Sequence, residues 1–556
     1  MKTQKLIIIG GVAGGASAAA RVRMLNEKAQ IIIFERGPYV SFANCGLPYF
    51  IGNEITDRNK LLLHTPESLK DRFNFDVRVL HEVVHISRED KTVTVRNIAD
   101  GTEYTESYDT LILSPGAVPF IPPIPGIEDE RIICLRNIPD MDRILARIET
   151  GIRNVTVIGA GFIGLEMVEA LQHRGLEVQL VERDPQILAP LDADMTSPLL
   201  AELQKRNITV YLNDGLSAVS PDRELVLTLA SGKTIRTDLV ILAIGVRPDS
   251  SLARDAGLET GIGSSIIVNE YQQTADPAIY AVGDAVQVKH FVSGHSAVIP
   301  LAGPANRQGR IAADAIFGRK KDYRGSQGTA ICRLFDMSAG ATGLNEKALK
   351  AANIAYEKVI IHGNDHAAYY PNATRLSLKV LFSKEDGTIL GAQAVGMKGA
   401  DKRIDVIATA IQARMTVYDL AEVELSYAPP FGSAKDIINF AGMVAQNMSE
   451  GLSRFLDIED FENKAIEKYT LLDVRNPEEV EQGFIPGAIN IPLSRLRQQA
   501  GNLPKDIPVI LYCQVALRGH IAQRYLAQEG WETYNLQGGY TSWQMWHQAK
   551  DVLKSG

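Results

Sequence analysis

Cysteine is scarce in this chain: four residues, at 45, 134, 332 and 513, among 556. None belongs to a C-x2-C pair and the spacing has nothing of a secreted disulfide framework, which suits a reducing, cytoplasmic setting and gives no pattern for a metal site. Long apolar runs are missing too, since no stretch of about 18 consecutive apolar residues could span a membrane. Basic blocks are absent and the formal net charge is −8, so nucleic acid is not an expected partner. What remains is ordinary globular composition, 45% apolar and 22% charged, with enough chain for three or four domains at roughly 100 to 200 residues each.

The amino-terminal run is the first informative stretch. Lys2 and Lys5, followed by apolar and alanine-rich residues through Ala20, imitate a secretory leader, but the glycines inside the run and the acidic residue beyond it fit a nucleotide fold better. Residues 6–9 read as a short apolar strand that Gly10-Gly11-Val12-Ala13-Gly14-Gly15 turns into a helix. In such a βαβ unit glycines permit the tight turn and close helix packing, while amides at the helix start face a pyrophosphate. Val12 departs from strict G-x-G-x-x-G. A second strand, 31–34, ends in Glu35, placed to accept hydrogen bonds from ribose hydroxyls. A full fingerprint comes later: strand 155–158, then Gly159-Ala160-Gly161-Phe162-Ile163-Gly164, a helix, and strand 178–181 ending in Glu182, 21 residues beyond Gly161. Residues 111–117 and the proline-rich 119–125 read as a domain exit, and 239–245 as a closing strand and return. Strand 279–282 delivers Asp284 at its carboxyl end, where open α/β sheets bind ligands.

Together these elements resemble the two-dinucleotide-domain flavoprotein reductases. The resemblance implies one FAD on Gly10, Gly11, Ala13, Gly14, Gly15, Glu35, Arg36, Ser114, Gly116 and Asp284, the aspartate bonding the ribityl and phosphate region, with 300–310 at the flavin edge. It implies NADH on Gly159, Gly161, Phe162, Ile163, Gly164, Glu182 and Gly245. Glu182 would accept from a ribose 2′-hydroxyl but repel a 2′-phosphate, with Arg183 as the counterweight.

Residues 41–50 carry Cys45, and no second cysteine follows within ten residues, so any disulfide it makes is with something outside the chain. Gly46 and Pro48 read as the opening of a helix, which would set Cys45 at a positive helix end and favour its thiolate; a buried structural cysteine is the alternative. The run Ser41-Phe42-Ala43-Asn44-Cys45-Gly46-Leu47-Pro48-Tyr49 is similar to coenzyme A disulfide reductases and their persulfide reductase relatives. So are Ala367-Ala368-Tyr369-Tyr370-Pro371, residues 399–405 and 426–430, which in that family belong to a dimerisation domain. The resemblance implies a mixed disulfide of Cys45 with coenzyme A, Tyr369 and Tyr427 reaching the thiol from the partner subunit, and coenzyme A contacts from Arg21, Arg23, Ser41 and Asn44. Without the family, these tyrosines would be read as core or interface packing.

Residues 446–468 are polar, acidic and without strong period, as in a linker with short helical turns. Beyond them 471–475, 485–492 and 509–513 resemble a rhodanese. Cys513-Gln514-Val515-Ala516-Leu517-Arg518 has the C-x4-R spacing of its active loop, in which successive amides and Arg518 make an anion nest that stabilises thiolate and persulfide. Phe484 stands where the family usually has histidine, and a degenerate, inactive rhodanese is the alternative.

The expected fold is α/β: two Rossmann-like dinucleotide-binding domains, an α+β dimerisation domain and a carboxyl-terminal α/β rhodanese domain. The boundaries are 1–116 with 250–325 for FAD, 117–249 for NAD(P)H, 326–446 for dimerisation, 447–464 for the linker and 465–556 for the rhodanese. The implied protein is a homodimeric flavoenzyme in which NADH reduces coenzyme A disulfide, coenzyme A or other low-molecular-weight persulfides, or polysulfide, through FAD and Cys45, while Cys513 handles sulfane sulfur. The alternatives are an NADH oxidase or peroxidase cycling Cys45 through sulfenic acid, and a coenzyme A-responsive redox sensor.

Overall fold

The computed structural model describes residues 4–555, with side chains at 549 and 551–555 outside the description; Lys2 of the amino-terminal run lies outside the described residues. Two compact units divide the chain: residues up to 181 with 214–328, and 182–213 with residues from 329 onward.

The first unit is built on two parallel sheets. In one, Lys5–Ile9 lies between Gln30–Glu35 and Thr110–Leu113, with Asp76–Val79 and Ile279–Ala281 outside them. Leu6, Ile7 and Ile8 have no exposed surface: the strand is covered on both faces, which is why its sequence is continuously apolar instead of alternating. The register pairs Ile9 with Phe34 and Leu113, so Gly10, Glu35, Ser114 and the turn after Ala281 share one carboxyl edge. In the second sheet Asn154–Ile158 lies between Glu177–Val181 and Leu239–Leu242, with Ile132–Ile133 beyond. The closing strand is shorter than expected and ends at Leu242; Gly245, at φ +111°, turns the chain into Val246–Pro248. That segment pairs antiparallel with Ala117–Pro119, so the outgoing and returning crossovers run side by side.

In the second unit an antiparallel sheet, ordered Ala330–Leu334, Met337–Gly343, Ile389–Gly396, Arg375–Ser383 and Tyr356–Asn364, packs against helices Ala400–Gln412 and Ile437–Ser449. A parallel sheet follows, ordered Phe455–Leu456, Thr533–Leu536, Val509–Tyr512, Thr470–Asp473 and Ile489–Asn490. The stretch 447–464 is therefore not the linker the sequence suggests. Helix Ile437–Ser449 runs into it, Phe455–Leu456 is an edge strand, and Ile458–Glu462 is helical. A two-residue strand has no readable period, which is why polar composition alone misleads here.

The two sheets of this unit are joined by polar contacts. Gln537 Nε2 donates to Lys358 O at 2.8 Å, His362 Nε2 meets Ser542 Oγ at 2.8 Å, and Lys358 forms an ion pair with Asp457. Behind Lys358 sits Lys379, wholly buried, whose Nζ meets Asp192 Oδ2 at 3.0 Å, Asp194 Oδ1 at 2.9 Å and Glu346 Oε1 at 2.5 Å. The three carboxylates converge as metal ligands would, but the ammonium occupies the centre. Burial pushes the Glu346 carboxyl up, yet the Lys379 and Lys358 charges outweigh it and hold Glu346 at about 2. Asp192 and Asp457 go the other way, raised by burial that their cations only partly offset.

Removing one member of a buried ionic set leaves the others uncompensated, so Lys379→Met should destabilise the second unit by about 3–5 kcal/mol at neutral pH. Glu346 in the wild type contributes stability above its unfolded value of 4.5 that is lost as pH falls toward about 2. In the variant the stranded carboxyls are raised instead, so they take up protons on folding and the deficit shrinks on acidification. Thermal unfolding midpoints at pH 7.5 and pH 5 measure this; an equal deficit at both would show that the carboxylates do not depend on Lys379.

Candidate active sites

The loop after the first strand is fixed by backbone crowding. A Cβ at Gly10, whose φ is +95°, would lie 2.1 Å from Ser114 O, and one at Gly15 would lie 1.9 Å from Gly10 O. Gly309 brings helix Ala302–Ile316 equally close, since its Cβ would stand 2.3 Å from Gly14 O. Val12 is tolerated because it is the extended N-cap of helix Ala13–Leu25, at φ −102° and ψ −171°, a conformation open to any residue. Glu35 Oε2 accepts from Gly11 N at 3.0 Å and Oε1 from Gly37 N at 2.9 Å, so the carboxylate is oriented by the loop it serves. Arg36 pairs with Asp249 at 3.0 Å.

Asp284 lies in the 3-10 turn Gly283–Ala285, directly after the outer strand. Burial raises its carboxyl, against the opposing charge of Arg136. A cavity of about 280 Å³ beside it is lined by Ala117, Arg247, Pro248, Asp284 and Pro300 among others. The second fingerprint repeats the first: a Cβ at Gly159, φ +102°, would fall 2.4 Å from Ala243 O, and one at Gly164 1.9 Å from Gly159 O. Gly161, by contrast, N-caps helix Phe162–His173 with nothing within 4 Å of a would-be Cβ. Its bareness serves no packing need of the chain and leaves room for a ligand's approach. Ile163 is exposed in the first turn. Asp184 N donates to Glu182 Oε1 at 2.8 Å, and Arg183 is exposed with Nε 3.5 Å from Asp184.

Cys45 is exposed, in the 3-10 turn Asn44–Gly46 that precedes helix Leu47–Ile51. The expectation of a low-pKa thiol is corrected by this geometry. Although solvent reaches the residue, the mass of protein around the sulfur desolvates it, and the charges of Glu166 and Asp284 push the thiol further up; its backbone hydrogen bond opposes them. A five-residue helix beginning two positions later is too short to reverse that. The action of Asp284 on Cys45 nevertheless places the thiol near the carboxyl edge of the first sheet. Ser41, buried and left-handed at φ +49°, donates from N to Gly11 O at 3.0 Å and so ties the cysteine loop to the glycine loop.

Arg136 links these pieces and was not foreseen. With the Asn44 amide oriented as its neighbours require, Asn44 donates to Arg136 O at 3.2 Å and accepts from Arg136 Nη1 at 3.1 Å. Arg136 Nη2 also stands 2.8 Å from where a Cβ of Gly116 would be. No sequence pattern marks an arginine 91 residues beyond the cysteine loop. Arg23 is a second correction. Its guanidinium is buried and donates to Phe73 O at 2.7 Å, Glu27 O at 2.6 Å and Ala29 O at 2.9 Å among others, so it holds the turns at the helix end and is not free for a ligand. Arg21 is paired with Asp314 at 2.6 Å.

In the second unit Tyr369 and Tyr427, 58 residues apart, meet hydroxyl to hydroxyl at 2.9 Å, both exposed. The hydrogen bond to Tyr427 raises Tyr369. The Cys513 loop lies between strand Val509–Tyr512 and helix Leu517–Gln528. Ala516, left-handed at φ +71°, reverses the backbone, and Gly539 permits the following turn to close on it, since a Cβ there would be 2.3 Å from Cys513 O. Tyr540 N and Thr541 N donate to Cys513 O and Gln514 O at 2.8 and 3.0 Å. Cys513 is buried at the loop's base, and Arg518 stands in the first turn of the helix that follows the loop. Phe484 is exposed. Among the described residues no helix is long and apolar enough to cross a membrane.

Comparison with known proteins agrees with this geometry. Residues 4–309 match the pyridine nucleotide-disulphide oxidoreductase family, 329–436 its dimerisation domain, and 458–545 the rhodanese-like domain. The coenzyme A disulfide reductase of Staphylococcus epidermidis is 39% identical over 444 residues, 80% of this chain and 100% of that one. The crystal structure of reduced Bacillus anthracis CoADR-RHD is 48% identical with a TM-score of 0.96, covering 100% of this chain and 99% of that one. An NAD-dependent persulfide reductase from A. fulgidus is 35% identical with a TM-score of 0.92, covering 97% and 100%. The fused rhodanese recurs across the full-length matches, which favours a disulfide or persulfide reductase over an NADH oxidase. The chain belongs to the pyridine nucleotide-disulphide oxidoreductase family, as an FAD- and NAD(H)-dependent disulfide reductase with a rhodanese domain.

Proposed function

We propose that this protein is a cytoplasmic homodimer that uses NADH to reduce coenzyme A disulfide and low-molecular-weight persulfides or polysulfide. The observation that carries the reading is Cys45, solvent-accessible and without a cysteine partner, standing where the charge of Asp284 reaches it. Residues up to 116 with 250–325 form the FAD domain in this reading, 117–249 the NADH domain, 326–446 the dimerisation domain, and the rhodanese begins at the edge strand Phe455–Leu456. Gly10, Gly11, Ala13, Gly14, Gly15, Glu35, Arg36, Ser114, Gly116 and Asp284 would hold FAD; Gly159, Gly161, Phe162, Ile163, Gly164, Glu182 and Gly245 would hold NADH; Arg21, Ser41 and Asn44 would contact coenzyme A. The chemistry a bound flavin supplies is passage of an electron pair from reduced nicotinamide to a disulfide.

Cys45 supplies the sulfur. Its thiolate attacks one sulfur of the substrate, the S–S bond breaks, one thiol or hydrosulfide leaves, and a mixed disulfide or persulfide remains on Cys45. The Tyr369–Tyr427 pair is proposed to serve the partner's Cys45, one hydroxyl giving a proton to the leaving sulfur while the other holds it in place. In the second unit Cys513, beside Arg518, carries sulfane sulfur as a persulfide.

Cys45→Ser should leave flavin content and NADH binding intact while abolishing turnover with coenzyme A disulfide and persulfide, because serine cannot form the mixed disulfide. Unchanged steady-state turnover would overturn the mechanism. Because Glu166 pushes the Cys45 thiol up, Glu166→Gln should raise its thiolate fraction at neutral pH. Alkylation of Cys45, followed by mass spectrometry of its peptide from pH 6 to 10, should then show the rate profile moved to lower pH. A cofactor preference also follows from Glu182. An uncompensated like-charge pair at about 4 Å costs roughly 4 kcal/mol at an effective dielectric near 20, and Arg183 turns to Asp184. Catalytic efficiency with NADH should exceed that with NADPH at least tenfold; equal efficiencies would mean that Arg183 turns inward.

A further inference from the structure

Arg518 does not face the Cys513 loop as a free cation. Its Nη1 and Nη2 are held by both oxygens of Glu479, at 2.6 and 2.5 Å, in a fork-to-fork pair whose side chains are each 31% exposed. Glu479 comes from the short helix Pro477–Val480, where its Oε2 also accepts from Asn476 N at 3.0 Å. The other cation touching the loop is likewise compensated: Arg475 donates to Gln514 Oε1 at 3.2 Å but is buried against Asp473, with Nη2 to Oδ2 at 2.8 Å. A sulfur donor approaching Cys513 therefore meets Arg518 already carrying a carboxylate, with Arg475 buried and paired beneath the loop.

We propose that Glu479 is a specificity-determining residue of the Cys513 site, keeping Arg518 charge-balanced so that small dianionic donors such as thiosulfate are disfavoured and persulfides of organic thiols are taken instead. The inference rests on reading Cys513 as the sulfur-carrying nucleophile. A thiosulfate dianion must displace a bidentate carboxylate and then remain beside it. A persulfide of an organic thiol brings at most one charge to its sulfur end and needs no such exchange. In the step itself the Cys513 thiolate attacks the outer sulfur of R–S–SH, the S–S bond breaks, R–S⁻ leaves, and Cys513 holds –S–SH; no external oxidant or reductant is consumed. Glu479 acts through Arg518 and touches no reacting atom.

The test uses two alkylating reagents of nearly one shape, anionic iodoacetate and neutral iodoacetamide, on the flavin-loaded wild type, Glu479→Gln and Glu479→Asp, with the Cys513 peptide quantified by mass spectrometry. A change in thiolate fraction affects both reagents alike and cancels in the ratio of rates. Glutamine keeps the capping contact to Asn476, so folding should survive. Glu479→Gln should raise the iodoacetate-to-iodoacetamide ratio at Cys513 roughly tenfold at low salt and lose the gain at 1 M salt, as expected of an uncovered charge, while Glu479→Asp should stay near wild type. Thiosulfate-to-cyanide transfer should rise in parallel, through KM, with cysteine persulfide as donor changed less than about twofold, since its charge is not doubled. An unchanged alkylation ratio, or equal loss with both donors, would overturn the proposal and leave Glu479 a shaper of the loop. A shifted ratio with no sulfur transfer from either donor in the wild type would uphold the charge role and sink the sulfurtransferase reading of Cys513.

Discussion

Backbone meeting backbone at the carboxyl ends of parallel strands is the constraint on which the three candidate sites depend. A Cβ at Gly10 would stand 2.1 Å from Ser114 O, one at Gly159 2.4 Å from Ala243 O, and one at Gly539 2.3 Å from Cys513 O. All three glycines have positive φ. A side chain there would push apart the loops that the sheet edge brings together, and the amides left pointing outward are what an anionic ligand or thiolate can use. The same local solution thus recurs in the two glycine loops and the Cys513 loop, of different length and sequence, because a parallel sheet poses the same geometric problem at each of its carboxyl edges.

Cys45 and Cys513 differ in access. Cys513 is buried at the base of a loop whose Arg518 is paired with Glu479. Cys45 is open to solvent, yet the protein packed around its sulfur, and after it the charges of Glu166 and Asp284, disfavour its ionisation. A raised thiol is less often thiolate but more nucleophilic when it is, since nucleophilicity rises with basicity. In the mechanism proposed, where Cys45 would form and then release a mixed disulfide, that balance is useful: the thiolate attacks well, and the thiol is not left permanently ionised.

What was legible in the sequence was local. Glycine loops, the acidic residue about twenty positions on and the C-x4-R spacing each lie within one supersecondary unit, at or just after the carboxyl end of a parallel strand. What was not legible depends on residues far apart in the chain. Arg136 reaches Asn44 from a different element, and Glu479 reaches Arg518 across 39 residues; nothing in either segment alone announces the meeting. Arg23 failed for the reverse reason: an arginine on the first helix reads as a surface cation, but the turn after that helix offers a ring of carbonyl oxygens that takes it inside. The helix start is there, but the low-pKa reading of Cys45 failed because tertiary folding buries the sulfur and then brings two carboxylates to act on it.

The false linker carries the widest consequence. Polar composition at 447–464 suggests a tether on which the rhodanese domain could swing, yet the chain enters the domain's own sheet at Phe455. Asp457, next to that strand, pairs with Lys358, and Lys358 shares Glu346 with the wholly buried Lys379. Moving the domain away would break the Lys358–Asp457 pair and the contacts of Gln537 with Lys358 O and of Ser542 with His362, while Lys379 would keep its three carboxylates. In the role proposed for Cys513, a donor would come to a loop whose Arg518 is already paired with Glu479, in a domain joined to the neighbouring sheet by these contacts.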